Sequence, residues 1–195
     1  MNLTARTAPQ TSTGRAESPL RVPVLETARL RLRAPEARDL DAYVAYCASD
    51  RSATVGGPFS REEAYFRLCA IAGQWQLRGF GRWIIADRES DAALGLAGLH
   101  YPDGWPEPEI AWTVFDGAEG RGIAQEAAIA VRAHVFGTLG WSRVMSAVAP
   151  SNSRSVRLAQ RLGCTLEGEF DHPVYGRLGI WRHPAPAGAP KEIVQ

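Results

Sequence analysis

The chain has 195 residues, 45% of them hydrophobic and 22% charged, which is enough to bury one core without disulfide or metal staples. Its 22 basic side chains against 21 acidic ones leave a net charge of +1, which gives no electrostatic case for a nucleic acid or an anionic membrane surface as partner. No apolar run approaches the ~18 residues of a membrane span, and the first twenty residues lack the apolar segment of a secretory signal.

Residues 1–24 are Thr, Ser, Ala, Pro and Arg without periodicity and predict a disordered leader; residues 184–195, rich in Pro and Ala, predict a frayed tail. One domain is expected over 25–183. It begins with Arg29-Leu30-Arg31-Leu32-Arg33, whose strict alternation predicts a strand with one buried face. Leu40, Tyr43, Val44 and Cys47 then recur at helical spacing. Ser60 with Glu63 forms a capping box, and the stripe Ala64, Leu68, Ile71, Trp75 predicts a second helix ending near Gly79. Three strands are expected at 82–88, 93–101 and 109–115. A glycine-rich turn, 116–122, opens a long helix with the apolar face Ala124, Ala128, Val131, Val135 and Leu139. A strand at 143–149, a short helix at 153–162 stopped by Gly163, and two paired strands at 165–170 and 174–183 complete the domain. Three consecutive strands without helices between them argue against a doubly wound parallel sheet. The expected class is α/β in the wide (α+β) sense: a mixed, mostly antiparallel central sheet with helices on both faces.

Cys47, Cys69 and Cys164 are scattered, with no CxxC, and read as reduced, small apolar residues. The four histidines lie far apart without ligand spacing, so no metal is expected. A soluble, cytoplasmic protein is the simplest reading, and a homodimer is compatible with it.

The segment from Glu109 to Ala127 runs strand, glycine turn, helix N-terminus. The first N–H groups of a helix lack internal partners and the dipole makes that end positive. Glycines let a phosphate approach the backbone. The turn is therefore a pyrophosphate cradle or simply a tight connection. Gly120-x-Gly122 begins like a dinucleotide fingerprint, but Gln125 stands at the third glycine and no acid follows ~20 residues on. A Walker loop is excluded, because GK[ST] is absent.

Four motifs in order resemble the GNAT N-acetyltransferases. Gly122 and Ala124 match the family's acetyl-CoA loop, with Glu119 where Gln or Arg is usual. The opening Leu25-Glu26-Thr27-Ala28-Arg29-Leu30-Arg31-Leu32-Arg33 resembles the first strand of the ribosomal-protein N-terminal acetyltransferase-like subgroup. Glu109-Ile110-Ala111-Trp112 stands for that subgroup's usual Glu-Ile-Gly-Tyr. Asn152-Ser153-Arg154-Ser155 followed by Arg161-Leu162-Gly163-Cys164 is similar to the family's Asn-x-x-Ser … Lys-Leu-Gly-Phe.

The resemblance implies acetyl transfer from acetyl-CoA to an amine acceptor, a small molecule or a protein N-terminus, by direct attack in a ternary complex. Trp112, Val114 and Phe115 would lie along the pantetheine arm, with the Val114 N–H as oxyanion donor. Gly120, Arg121, Gly122, Ile123, Ala124 and Gln125 would hold the pyrophosphate, and Asn152 would sit near the sulfur. Glu109 is the candidate base, or else an exposed acid in its proline-rich turn. Ser155 would protonate the leaving thiolate, or else bond the local backbone as helix-terminal serines do. The tyrosine that many GNAT enzymes carry further along this helix is replaced by Ala159, which supports an alternative, a non-catalytic acyl-CoA-binding protein. A nucleotide-binding domain of another fold is a second rival. Trp105 reads as a substrate-side aromatic or as a loop Trp packed on its own prolines. If Gly122 needs no positive φ, an acid there would favour the apo helix while repelling phosphate.

Overall fold

The computed structural model describes residues 21–186. Residues 1–20 of the expected leader and 187–195 of the expected tail lie outside them. At the end of that leader Val22 packs on the main core, and the Trp83 indole N–H donates to the Pro23 carbonyl at 2.7 Å. Packed chain therefore begins before Leu25.

Among the described residues, eight strands build one sheet: β1 (Leu25–Glu26), β2 (Leu30–Arg33), β3 (Arg82–Asp87), β4 (Ala93–His100), β5 (Glu109–Val114), β6 (Met145–Val148), β7 (Thr165–His172) and β8 (Gly176–Arg182). Their spatial order is β1-β2-β3-β4-β5-β6-β8-β7. Every neighbouring pair is antiparallel except β5 and β6. Four α-helices accompany them: α1 (Leu40–Ala48), α2 (Arg61–Arg78), α3 (Ile123–Gly137) and α4 (Ser153–Arg161). This is the expected mixed α/β sheet. The β3-β4-β5 meander needs only short turns, whereas β6 can run parallel to β5 because α3 carries the chain back across the sheet.

Local chemistry places the helix ends. The Glu63 N–H donates to Ser60 Oγ at 3.2 Å, and the Ser60 N–H donates to the Glu63 carboxylate at 2.8 Å, closing the capping box that starts α2. In β3, Trp83 and Ile85 face α3 and the residues Val131 and Val135, while Ile84 and Ala86 face α1 and α2 through Tyr43, Leu68 and Ile71. With both faces covered, β3 and β4 are near-continuous apolar runs despite being antiparallel.

The alternation of β2 holds for Leu30 and Leu32, both fully buried, but Arg33 is buried as well. Its guanidinium donates twice to Asp39, at 2.8 Å each, and to Asp91 at 3.0 Å. A guanidinium leaves water this way only with its donors satisfied.

Candidate active site

The sheet splits between its two parallel strands. β5 and β6 pair at one register position, Glu109 opposite Met145, and then diverge. The Ala147 N–H, which would continue the ladder, donates instead to Glu109 Oε2 at 2.6 Å. The Ile110 carbonyl accepts from Ser146 Oγ at 2.5 Å. These two side chains take over the ladder groups at the point of divergence and so hold the strands apart.

The split opens into a cleft of about 1260 Å³. The Phe115 N–H donates to the Leu94 carbonyl at 2.8 Å, so Phe115 faces β4 with its backbone. Strand alternation then turns the N–H and C=O of Trp112 and Val114 away from β4 and into the split, where β6 offers no partner. That row of open ladder groups suits an extended, amide-bearing arm.

At the mouth, the first bond of α3 runs from the Glu126 N–H to the Gly122 carbonyl. The N–H groups of Ile123, Ala124 and Gln125 precede it and are free of the helix ladder. Gly120 and Gly122 sit at φ 69° and 77°. Only glycine reaches this region without strain, so the acid considered above at Gly122 would cost the fold stability, contrary to that expectation. Glycines at both positions also leave the backbone open on the approach side, so the turn fits a pyrophosphate.

The turn is gripped from a distance. Arg29 donates to the Arg121 carbonyl at 2.9 Å and to Glu126 at 2.8 Å, and Thr27 Oγ1 donates to Glu126 at 2.6 Å. Thr27, Arg29 and Glu126 were not among the expected site residues, although Thr27 and Arg29 lie in the opening motif. Their role depends on a contact across almost 100 positions of chain. Glu119, the departure from the family pattern, is ion-paired to Arg51. That pairing offsets a carboxylate otherwise adverse to a phosphate site.

Several expected residues line the cleft together: Glu109, Trp112, Val114, Gly120, Gly122, Ile123, Ala124, Gln125, Asn152 and Ser155. Trp112 and Ser155 meet across it, the indole N–H donating to Ser155 Oγ at 3.3 Å. Asn152 caps α4, its side chain accepting the Ser155 N–H at 3.1 Å. Two residues depart from expectation. The Phe115 ring is buried on the other face of the sheet, 5.6 Å from the Tyr46 ring and 6.1 Å from the Tyr43 ring, because alternation turns it away from the cleft side of Val114. Arg121 is exposed and outside the cleft lining; its carbonyl accepts from Arg29, and its guanidinium is within electrostatic reach of Asp87.

Glu109 is not an exposed turn acid: it is 5% exposed. Burial pushes its pKa up to about 7, against the opposing pull of the Ala147 N–H and of Arg82. His100, opposite Glu109 on β4, is pushed down to about 3 by burial and by Arg82. Of these two groups only Glu109 is poised to exchange a proton near neutrality. Trp105 packs on His100, Phe170, His172 and Tyr175, with ring centroids 4.8–5.8 Å apart. It walls the cleft, packed against the β7–β8 hairpin. Ala159 is fully buried in the core.

A mixed sheet split between parallel strands beside a glycine turn is the architecture of acyltransferases that use coenzyme A thioesters. The acetyltransferase (GNAT) domain model matches residues 29–165, and the chain belongs to that family. A solved acetyltransferase from Agrobacterium tumefaciens str. C58 is 34% identical, with a TM-score of 0.77, over 88% of this chain and 99% of that one. The uncharacterized N-acetyltransferase YoaA of Bacillus subtilis (strain 168) is 29% identical over 157 residues, 78% of this chain and 89% of its own length. A ribosomal L7/L12 α-N-protein acetyltransferase, RimL, solved in complex with coenzyme A, shares the fold at 16% identity and a TM-score of 0.64, over 84% of this chain and 98% of that one. The chain is an acetyltransferase, and its family implies acetyl-CoA as the acyl donor. No helix of the described residues is long and apolar enough to cross a membrane, and no group of three or more His, Cys, Asp or Glu among them could hold a metal.

Proposed function

We propose that this enzyme moves the acetyl group of acetyl-CoA directly onto a primary amine, in a ternary complex, with Glu109 as the base. The observation that carries the reading is the buried carboxyl of Glu109 at the apex of the split, with its pKa near 7. Bound acetyl-CoA supplies an activated thioester carbonyl, and the chain supplies the rest. The free N–H groups of 123–125 hold phosphate, and the open backbone of Trp112 and Val114 orients the arm. The Val114 N–H donates to the developing oxyanion. Glu109 accepts the amine proton, directly or through water, and Ser155 Oγ returns one to the departing sulfur.

An α-amine with pKa ≈ 7.8 is ~14% neutral at pH 7, against ~0.04% for a lysine amine. A base near pKa 7 therefore suits a protein N-terminal α-amine or a small-molecule amine of similar basicity. The opening motif, whose Thr27 and Arg29 grip the turn, supports a place in the ribosomal-protein N-terminal acetyltransferase-like subgroup. The acetyltransferase (GNAT) domain match and the acetyltransferase relatives support the catalytic reading over the non-catalytic alternative.

The test is an acceptor screen that follows free coenzyme A release across a mixed amine panel. Absence of release with every amine, while acetyl-CoA binds, overturns the reading. Acetyl-CoA is also expected to stabilise the fold: at 100 times its dissociation constant a native-state ligand contributes ≈ 2.7 kcal/mol, a Tm rise of about 5–11 °C for a domain of this size. Thermal denaturation checks this. A rise with NAD or ATP but none with acetyl-CoA would contradict it.

A further inference from the structure

The acceptor side of the cleft contains an arginine without a counter-ion. Arg82 opens β3 and lines the cleft. In register it lies opposite Gly98 of β4, which lies opposite Ala111 of β5. Gly98 lets the backbones of β3 and β4 approach closely, and Ala111, the next residue on that row, lines the cleft with a short side chain. Arg82 is within electrostatic reach of Tyr43 and Tyr46 on α1, Glu109 on β5 and Tyr175 in the β7–β8 turn. Burial pulls its pKa below the ordinary arginine value. None of the described residues gives its guanidinium a hydrogen bond or an ion pair.

The other arginines lining the cleft differ. Arg51 is paired to Asp116 and Glu119, Arg67 lies over the Phe59 ring at 3.5 Å, and Arg154, Arg157 and Arg161 are exposed on α4. Glu109 makes no ion pair with Arg82: its Oε2 accepts the Ala147 N–H, and burial favours its neutral form. A half-buried guanidinium that lines the cleft without a protein acceptor presents its donors to whatever enters, and its planar fork matches a carboxylate better than any other common anion except phosphate. The surrounding wall is Tyr43, Tyr46, Trp105 and Tyr175, and the neighbouring cation, Arg67, lies over the Phe59 ring; one free guanidinium suits a singly charged carboxylate better than a phosphate dianion.

We propose that Arg82 binds a carboxylate carried by the acceptor amine, so that the substrate is an amino-acid-like zwitterion rather than a simple amine. This rests on the N-acetyltransferase reading above and narrows its substrate class. The carboxylate would be held at Arg82 while the amine of the same molecule faces Glu109. It could be the main-chain carboxylate of a free amino acid or the side chain of an acidic first residue of a peptide.

The experiment measures kcat/KM with matched acceptors in two arms: free amino acids against their carboxamides, and short peptides beginning with Asp or Glu against those beginning with Asn or Gln. Each arm is run on the wild type, Arg82→Gln and Arg82→Lys. Comparing acid-to-amide ratios between enzymes cancels the different basicity of the amines and any common effect on Glu109. The wild type is expected to prefer the acid in one arm, which identifies the source of the carboxylate. Arg82→Gln should lose about 10–150-fold of that preference, the worth of a charge-assisted contact. Arg82→Lys should restore part of it, and acetyl-CoA affinity should stay the same throughout. Equal use of acid and amide by the wild type in both arms, or a preference that survives in Arg82→Gln, overturns this proposal and leaves the acetyltransferase reading intact. If no amine of either arm or of the mixed panel is acetylated while acetyl-CoA binds, both fall.

Discussion

Glu109→Gln is expected to lower kcat by about 10²–10⁴-fold, the usual contribution of a positioned general base, with acetyl-CoA affinity little changed. The amide can still accept the Ala147 N–H now bonded to the carboxylate at 2.6 Å, so the apex of the split should keep its shape. The pH profile provides the discriminating signature. A base must be ionised to take a proton, so wild-type kcat/KM should rise with pH through about 7, the value to which burial raises this carboxyl. Glu109→Gln should lose that limb and keep only the ionisation of the amine itself. Stability gives a second readout with a defined sign. The folded-state pKa lies above the ordinary 4.5, so the folded protein holds the extra proton between those values and loses stability as that proton leaves. The Tm of the wild type should therefore fall relative to that of Glu109→Gln as the pH rises from about 5 to about 8. Wild-type turnover in the variant, with an unchanged profile, would remove Glu109 from the chemistry.

Gly122→Asp is expected to weaken acetyl-CoA binding by about 100-fold or more, since its carboxylate competes for the free N–H groups of 123–125 and repels phosphate. The apo protein should be destabilised too. Gly122 sits at φ 77°, where a side chain costs roughly 1–2 kcal/mol, or about 2–8 °C in Tm. A new Cβ would meet only Arg29, at 3.5 Å, so the cost is conformational rather than a clash. Gln125→Glu separates charge from strain: it is isosteric, lies in the first turn of α3 and should favour the apo helix by ~0.3–1 kcal/mol while still weakening acetyl-CoA binding. Calorimetric titration and melting curves on both variants check the pair. Unchanged affinity in both would mean that the turn does not hold phosphate.

The split itself explains why one strand of the pattern was easy to find and hard to interpret. Glu109–Val114 is legible as a strand from its apolar run, and the turn after it from its glycines. That β5 parts from β6 after one register position is not legible, because the cause is the Ala147 N–H captured by a side chain from the neighbouring strand. Phe115 shows the same limit at one residue. Its membership of the segment was readable, but which face it takes depends on the pairing with Leu94.

What the sequence determined by itself is what depends on contacts within a few residues. The capping box at Ser60 and Glu63, the apolar stripes of α2 and α3, the meander of three strands, and the turn opening α3 all follow from spacing, because helix and strand periods and cap hydrogen bonds are local. Which polar groups leave water, and what then faces them, depends on contacts between elements far apart in the chain. Arg33 reads as a surface residue of an alternating strand but is buried by Asp39. Glu109 reads as either a base or an exposed turn acid, and its basicity is reset by burial between β4 and β6. Arg82 reads as the polar start of an apolar strand but stands unpaired in the cleft. A side chain's charge and reach are fixed by its identity, whereas its desolvation and partners are set by elements tens of residues away, and these decide its chemistry.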